Sequence, residues 1–194
     1  VTLTLVVVAA SHAELARFSL EYVDTVDELI LLTNPEARFG GLGRIGNHAL
    51  EFGRGDVVGL VHADVLFGPG AIASLTTEAA RGGIAGIVGR NLAGEYIWGR
   101  DVIEPTPVST LDSCTIFLKR SLGLCFDEKL FDSFHCCTED LCLLAASVGI
   151  PVRVPPAVAD HQGTMWRQQD WMNSYWSYRE KLAAKWSNIE FTTT

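Results

Sequence analysis

Three observations predict an α/β fold with a mostly parallel central sheet flanked by helices. Short apolar runs without helical period recur at residues 3–9, 29–32, 57–61 and 84–88, as in strands buried on both faces. Segments with helix caps or helical spacing separate them, and strand–helix–strand order implies right-handed parallel crossovers. The run 57–61 then stops on His62-Ala63-Asp64, at the carboxyl end of a buried strand, where open sheets of this kind bind ligands. All 194 residues are expected to form one domain, large enough to bury a substantial core.

Taken in order, residues 3–9 are the opening strand. They lack the basic start of a signal peptide and are read as structure. Ser11-His-Ala-Glu14 has the form of a capping box, and Leu15, Phe18 and Tyr22 make the apolar stripe of a short helix. Residues 29–32 are a second buried strand, ending at Thr33-Asn34-Pro35. Gly41-Leu-Gly43-Arg-Ile-Gly46 is a literal GxGxxG. A dinucleotide fingerprint should sit directly between strand and helix, whereas residues 34–40 intervene here. A helix over 45–52 follows, and Gly53-Arg-Gly55-Asp56 turns the chain into the strand at 57–61.

Pro69 and Gly82-Gly83 bracket a helix over 71–81, and 84–88 is another buried strand. Residues 90–107 hold Trp98 and two prolines without any period, a loop of functional or mobile character. Residues 111–118 return to strand. Thr138 fits a helix N-cap, with Glu139 and Asp140 in the first turn and Gly149 with Pro151 at the end. Residues 152–158, broken by Pro155-Pro156, read as an edge strand running into Asp160-His161. Residues 166–186 are a long helix bearing Trp166, Trp171, Tyr175, Trp176, Tyr178 and Trp186. Such aromatics ordinarily pack on the parent domain; a membrane surface or a second copy of the chain is the alternative.

The net charge of -8 and pI near 5.0 argue against a nucleic-acid partner. An anionic small substrate would need a metal or local arginines to offset the repulsion. Five cysteines without CxxC spacing read as reduced thiols of a cytoplasmic chain and not as structural zinc. No apolar run reaches transmembrane length.

His62 and Asp64 stand two apart on a strand and so point to the same side, where an imidazole and a carboxylate can hold a divalent cation. The plain alternative is a strand exit with Asp64 serving a turn. Glu139 and Asp140 have a plain alternative as well, since acids in a first helical turn favour the helix dipole.

Together these stretches resemble an inverting glycosyltransferase of the GT-A fold, from the large family-two group of nucleotide-sugar enzymes. The likeness is carried by Asn47-x-Ala49 with Gly55-Asp-Val-Val-Gly-Leu-Val-His-Ala-Asp64, by Leu111-Asp112 through Arg120, by Phe126-Asp127-Glu128 with Glu139-Asp140, and by the lone His161. It implies a nucleotide-diphosphate sugar donor, a glycan or other hydroxyl acceptor, and Mn²⁺ or Mg²⁺ held by Asp64 and His161. It implies Asp140 as general base, with Glu139 as fallback. The family motif is Asp-x-Asp, whereas His62 takes the first acidic position here and would face the nucleotide, with Asn34 and Asn47 beside it. Trp98 would serve the acceptor or a lid. A competing expectation is a catalytically impaired nucleotide-binding, glycan-binding or assembly module. A third, an oxidoreductase, rests on Gly41–Gly46 alone. A homodimer and a peripheral membrane location stay open.

Overall fold

The computed structural model describes residues 1–16, 18, 26–34, 40–163 and 169–192. Tyr22, Pro35, Trp166 and the side chain of Trp171 lie outside the described residues.

The chain opens with β1 (Leu3–Ala9), entirely buried, as its unbroken apolar run requires. A single turn, α1 (His12–Leu15), follows; Ser11 Oγ accepts from the Glu14 amide at 3.1 Å. The Glu14 carboxylate reaches back to the amide of Ala10, one residue before the cap. β2 (Glu28–Thr33) pairs parallel to β1. Its expected burial is corrected: Leu29, Ile30 and Leu31 are exposed, because β2 is the edge strand and pairs in the sheet with β1 alone among the described residues.

α2 (Leu42–Phe52) starts at the GxGxxG and not after it. A Cβ on Gly41 would fall 2.3 Å from the Ser133 carbonyl oxygen, and one on Gly46 would fall 2.4 Å from the Phe126 ring. These glycines admit the 126–133 segment, which leaves the dinucleotide reading without support. β3 (Val57–His62), β4 (Val65–Phe67) and α3 (Ala71–Ala80) come next. The expected strand at 84–88 is two strands, β5 (Ile84–Ala85) and β6 (Val88–Arg90), in different sheets. The segment 90–107 is no open loop: it contains β7 (Tyr96–Trp98), hairpinned on β6, and β8 (Thr106–Pro107). The strand expected at 111–118 likewise divides into β9 (Thr110–Leu111) and β10 (Thr115–Lys119).

α4 (Cys137–Ser147) is capped by Cys136 in the left-handed region (φ 59°), so Thr138 lies inside the helix. β11 (Val152–Val154) sits between β5 and β8, and is not the edge its prolines suggested. They fall after it, in the passage to β12 (Ala159–His161), which pairs antiparallel with β4. α5 (Gln169–Lys185) ends the fold.

The main sheet has the order β2-β1-β3-β10-β5-β11-β8. Five of its seven strands share one direction, with β10 and β8 reversed. Alternation along β1 and β3 sends Val6, Val8, Val58 and Leu60 to the face covered by α2, α4 and α5. Leu5, Val7, Val57 and Val61 go to the face covered by α3. A sheet clothed on both sides leaves its strand ends as the place for a site.

Candidate functional site

β3 ends where its neighbours also stop. The His62 amide donates to the Cys114 carbonyl at 2.9 Å, and the Ala63 amide to Val8 at 2.9 Å. The chain then folds back as β4, whose Val65 stands in register with His161 of β12. The Gln162 amide closes the junction on the Asp64 carbonyl at 3.0 Å. Two short strands thereby carry a residue nearly a hundred positions away to the end of β3.

The result is a His–Asp–His cluster. Donor atoms of His62, Asp64 and His161 all lie within 4.8 Å of one another. His161 Nε2 is 3.4 Å from Asp64 Oδ1, and the two imidazole rings stand 6.0 Å apart. His62 Nε2 is shielded from solvent and has no hydrogen-bond partner among the described residues. Desolvation, helped by the nearby His161, holds the His62 imidazole below its ordinary pKa. At Asp64 burial opposes ionisation, but His161 outweighs it and the carboxyl sits below its usual range. Burial also opposes charge on His161, where Asp64 and then Asp112 prevail and raise its pKa. A neutral imidazole, a carboxylate and a second imidazole are donors suited to a divalent metal ion.

A cavity of about 990 Å³ opens on this cluster. His62, Asp64, His161, Asn34, Trp98 and Glu139 all line it, so the structure brings six of the eight expected site residues to one place. Asn34 is held there by its amide group on the Gly40 carbonyl, at 3.0 Å.

The other two lie elsewhere. Asn47 donates to the Phe126 carbonyl at 3.0 Å and accepts from the Phe126 amide at 2.8 Å. Both ends of its side chain clamp the 126 loop, and Asn47, expected at the nucleotide, is not among the residues lining the cavity. Asp140 is 1% exposed. Lys185 Nζ lies 2.8 Å from its Oδ1 and donates to Oδ2 at 2.9 Å, while the Trp186 indole donates to Oδ1 at 2.7 Å. Its carboxylate is thus engaged at the end of α5, and Asp140, expected as general base, is not among the residues lining the cavity. Glu139, one residue earlier, takes the cavity-facing position.

Several lining residues were not read as site residues from the sequence, Tyr175 and Trp176 having been named only as packing aromatics. Met172, Tyr175, Trp176 and Arg179 present one face of α5, and their i, i+3, i+4, i+7 spacing was the signal. Arg90, at the end of β6, holds its guanidinium 3.9 Å from the Tyr96 ring. Asp112, in the turn between β9 and β10, was read from the sequence only as part of the 111–120 stretch and given no site role.

No family model matches the chain, and no curated protein sequence matches it. Solved structures do. Glucosyl-3-phosphoglycerate synthase from Mycobacterium tuberculosis, in complex with Mg²⁺ and UDP, aligns with TM-score 0.62 at 16% identity over 100% of this chain and 81% of that one. GalNAc-T7 with UDP, GalNAc and Mn²⁺ aligns with TM-score 0.57 at 12% identity, over 82% and 43%. TarS 1–349 of S. aureus in complex with UDP-GlcNAc gives 0.56 at 14%, over 99% and 68%. The chain thus spans less than half of GalNAc-T7, and 58% of TarS 1–349 in a further structure of it. The shared architecture is the GT-A fold of nucleotide-sugar transferases.

Proposed function

From a GT-A fold with a His–Asp–His cluster at its strand ends, we propose that this domain moves a sugar from a nucleotide-diphosphate donor to an acceptor hydroxyl. The observation that carries the reading is the convergence of His62, Asp64 and His161 within 4.8 Å at the mouth of a large cavity. These residues would hold a divalent ion, and two imidazoles suit Mn²⁺ better than Mg²⁺. Such an ion, when bound, offsets the negative charge that develops on the departing diphosphate.

The chain's own groups account for the remainder. Asn34 lines the same cavity and is proposed to contact the nucleotide. Glu139 is proposed as the general base that takes the acceptor proton, a role worth about 10²–10⁴ in rate. Trp98 on one wall and the aromatic face of α5 on the other offer flat apolar surfaces to a glycan acceptor. Transfer with inversion and a cytoplasmic setting, free or peripheral to a membrane, complete the proposal; association into a homodimer accompanies it. Among the described residues no helix is long and apolar enough to cross a membrane.

A second reading has its own support in the pairing of Asp140 with Lys185 and in His62 at the first acidic position. It is a nucleotide- or glycan-binding module without turnover.

Thermal melting with UDP, GDP, CDP and dTDP, each with and without Mn²⁺, tests the donor reading. A ligand at 100 times its Kd stabilises by about 2.7 kcal/mol, a rise of roughly 5–11 °C for a domain of this size. One nucleotide is expected to act, only with the metal and not on Asp64→Ala. No shift with any nucleotide would refute both readings as nucleotide binders. A shift without sugar transfer would favour the module.

A further inference from the structure

The His–Asp–His cluster has a neighbour of different chemistry. Asp112 and Cys114 flank Ser113 in the turn between β9 and β10, and their donor atoms lie within 4.8 Å of one another and of a ring nitrogen of His161. Cys114 is fully buried, and its amide donates to Asp112 Oδ1 at 2.8 Å, which fixes the turn. The turn lies against the end of β3, because the Cys114 carbonyl accepts the amide of His62. Thiol, carboxylate and imidazole therefore belong to the same rigid strand ends as the first cluster, while Asp112 and His161 also line the cavity.

We infer that Asp112, Cys114 and His161 form a second, thiophilic metal site, which takes Zn²⁺ or a comparable borderline-soft ion and draws His161 away from His62 and Asp64. The donors set the class of ion. A thiolate with an imidazole and a carboxylate selects zinc or cobalt, whereas Mg²⁺ and Mn²⁺ prefer oxygen ligands. The span is suitable. Three donors no more than 4.8 Å apart leave a point within roughly 2.8 Å of each, against zinc bonds of about 2.0–2.3 Å. Closing that gap takes side-chain movements smaller than one bond length. Three protein ligands also leave a fourth position on the cavity side, and binding displaces the thiol proton of Cys114. The two sets share His161, so filling one removes a ligand from the other.

Cobalt(II) is the probe, because a cobalt–thiolate bond has a near-ultraviolet charge-transfer band that oxygen and nitrogen ligands lack. The full chain is titrated with Co²⁺ and no nucleotide, in a Cys125→Ser background because Cys125 is exposed. The expected result is a band that saturates at one equivalent, is cleared by Zn²⁺ and is absent from Cys114→Ser. Asp112→Ala should keep the band and weaken Co²⁺ binding by about tenfold or more. Cobalt bound without the band, or a band that persists in folded Cys114→Ser, would overturn the site. Should Cys114→Ser fail to fold, unchanged affinity in Asp112→Ala would overturn it equally. Because no nucleotide is present, failure here leaves the nucleotide-melting test of the proposed function untouched.

Discussion

Lys185, the last residue of α5, and Asp140, in the first turn of α4, stand 2.8 Å apart and join two helices across 45 residues of chain. The same ammonium donates to Asp127 at 2.9 Å. Burial opposes charge on Lys185, but its bonds to Asp140 and Asp127 prevail and raise its pKa. This contact ties the C-terminal helix to the domain through Asp140, which is not among the residues lining the cavity. Lys185→Met would leave a buried carboxylate with only the Trp186 indole as its described partner. The expected loss is about 3 kcal/mol, or roughly 6–12 °C in melting temperature. A melting temperature within a degree of wild type would show that the contact adds nothing.

Glu139→Gln separates catalysis from binding. Turnover should fall by about 10²–10⁴, with the nucleotide-dependent melting shift retained. Asp140→Asn should instead appear first as lost stability. If Glu139→Gln turned over normally while folded Asp140→Asn did not, the base assignment would revert to Asp140.

His62→Asp restores a carboxylate at the first position of the cluster. A hard oxygen in place of an imidazole should shift preference from Mn²⁺ toward Mg²⁺. Nucleotide melting shifts measured with each ion on both proteins would register the change; identical preferences would place His62 outside the ligand set.

Acid stability should depend on Glu28. Its carboxylate accepts from Thr4 Oγ1 at 2.7 Å, from the Arg54 amide at 2.8 Å and from Arg54 Nε at 2.7 Å. The Arg54 amide bond leads these in lowering its pKa from 4.5 to about 2. A depressed carboxylate stabilises the fold above its unfolded pKa, and that stability is lost as pH falls through the folded value. Wild type should therefore exceed Glu28→Gln in urea midpoint at pH 6, and the difference should close between 4.5 and about 2. A pH-independent difference would mean that neutral Gln replaces only shape.

Gly46→Ala tests the meaning of the GxGxxG. The added Cβ meets the Phe126 ring at 2.4 Å, and such overpacking costs about 1–3 kcal/mol, more than the helix gains in propensity. Urea denaturation should show that loss. Measurable NAD(H) binding by wild type, abolished in the variant, would instead revive the dinucleotide reading.

Much of this was legible before the fold was known. The burial of β1 and β3 follows from their unbroken apolar runs, and the shared direction of His62 and Asp64 from strand alternation. The helix around 71–80 announced itself through its bracketing Pro69 and Gly82-Gly83, and the one around 137–147 through its first-turn acids and Gly149, although its cap is Cys136 and not Thr138. The direction of β10 was not legible, since a buried strand has the same composition either way. Nor was the exposure of β2, whose apolar residues match those of an interior strand.

Sequence alone determined that this chain builds a two-faced α/β sheet with metal-capable side chains at a strand end, because alternation and burial are local rules that each segment obeys by itself. Tertiary structure decided which residues meet there. Adjacent helical residues point about 100° apart, so the choice between Glu139 and Asp140 rests on how α4 is rotated. In this fold Lys185 and Trp186, up to 46 residues away, bond Asp140, while Glu139 lines the cavity. Asn47 was claimed in the same way by Phe126, 79 residues along. Such long-range contacts leave no mark in the spacing of neighbours.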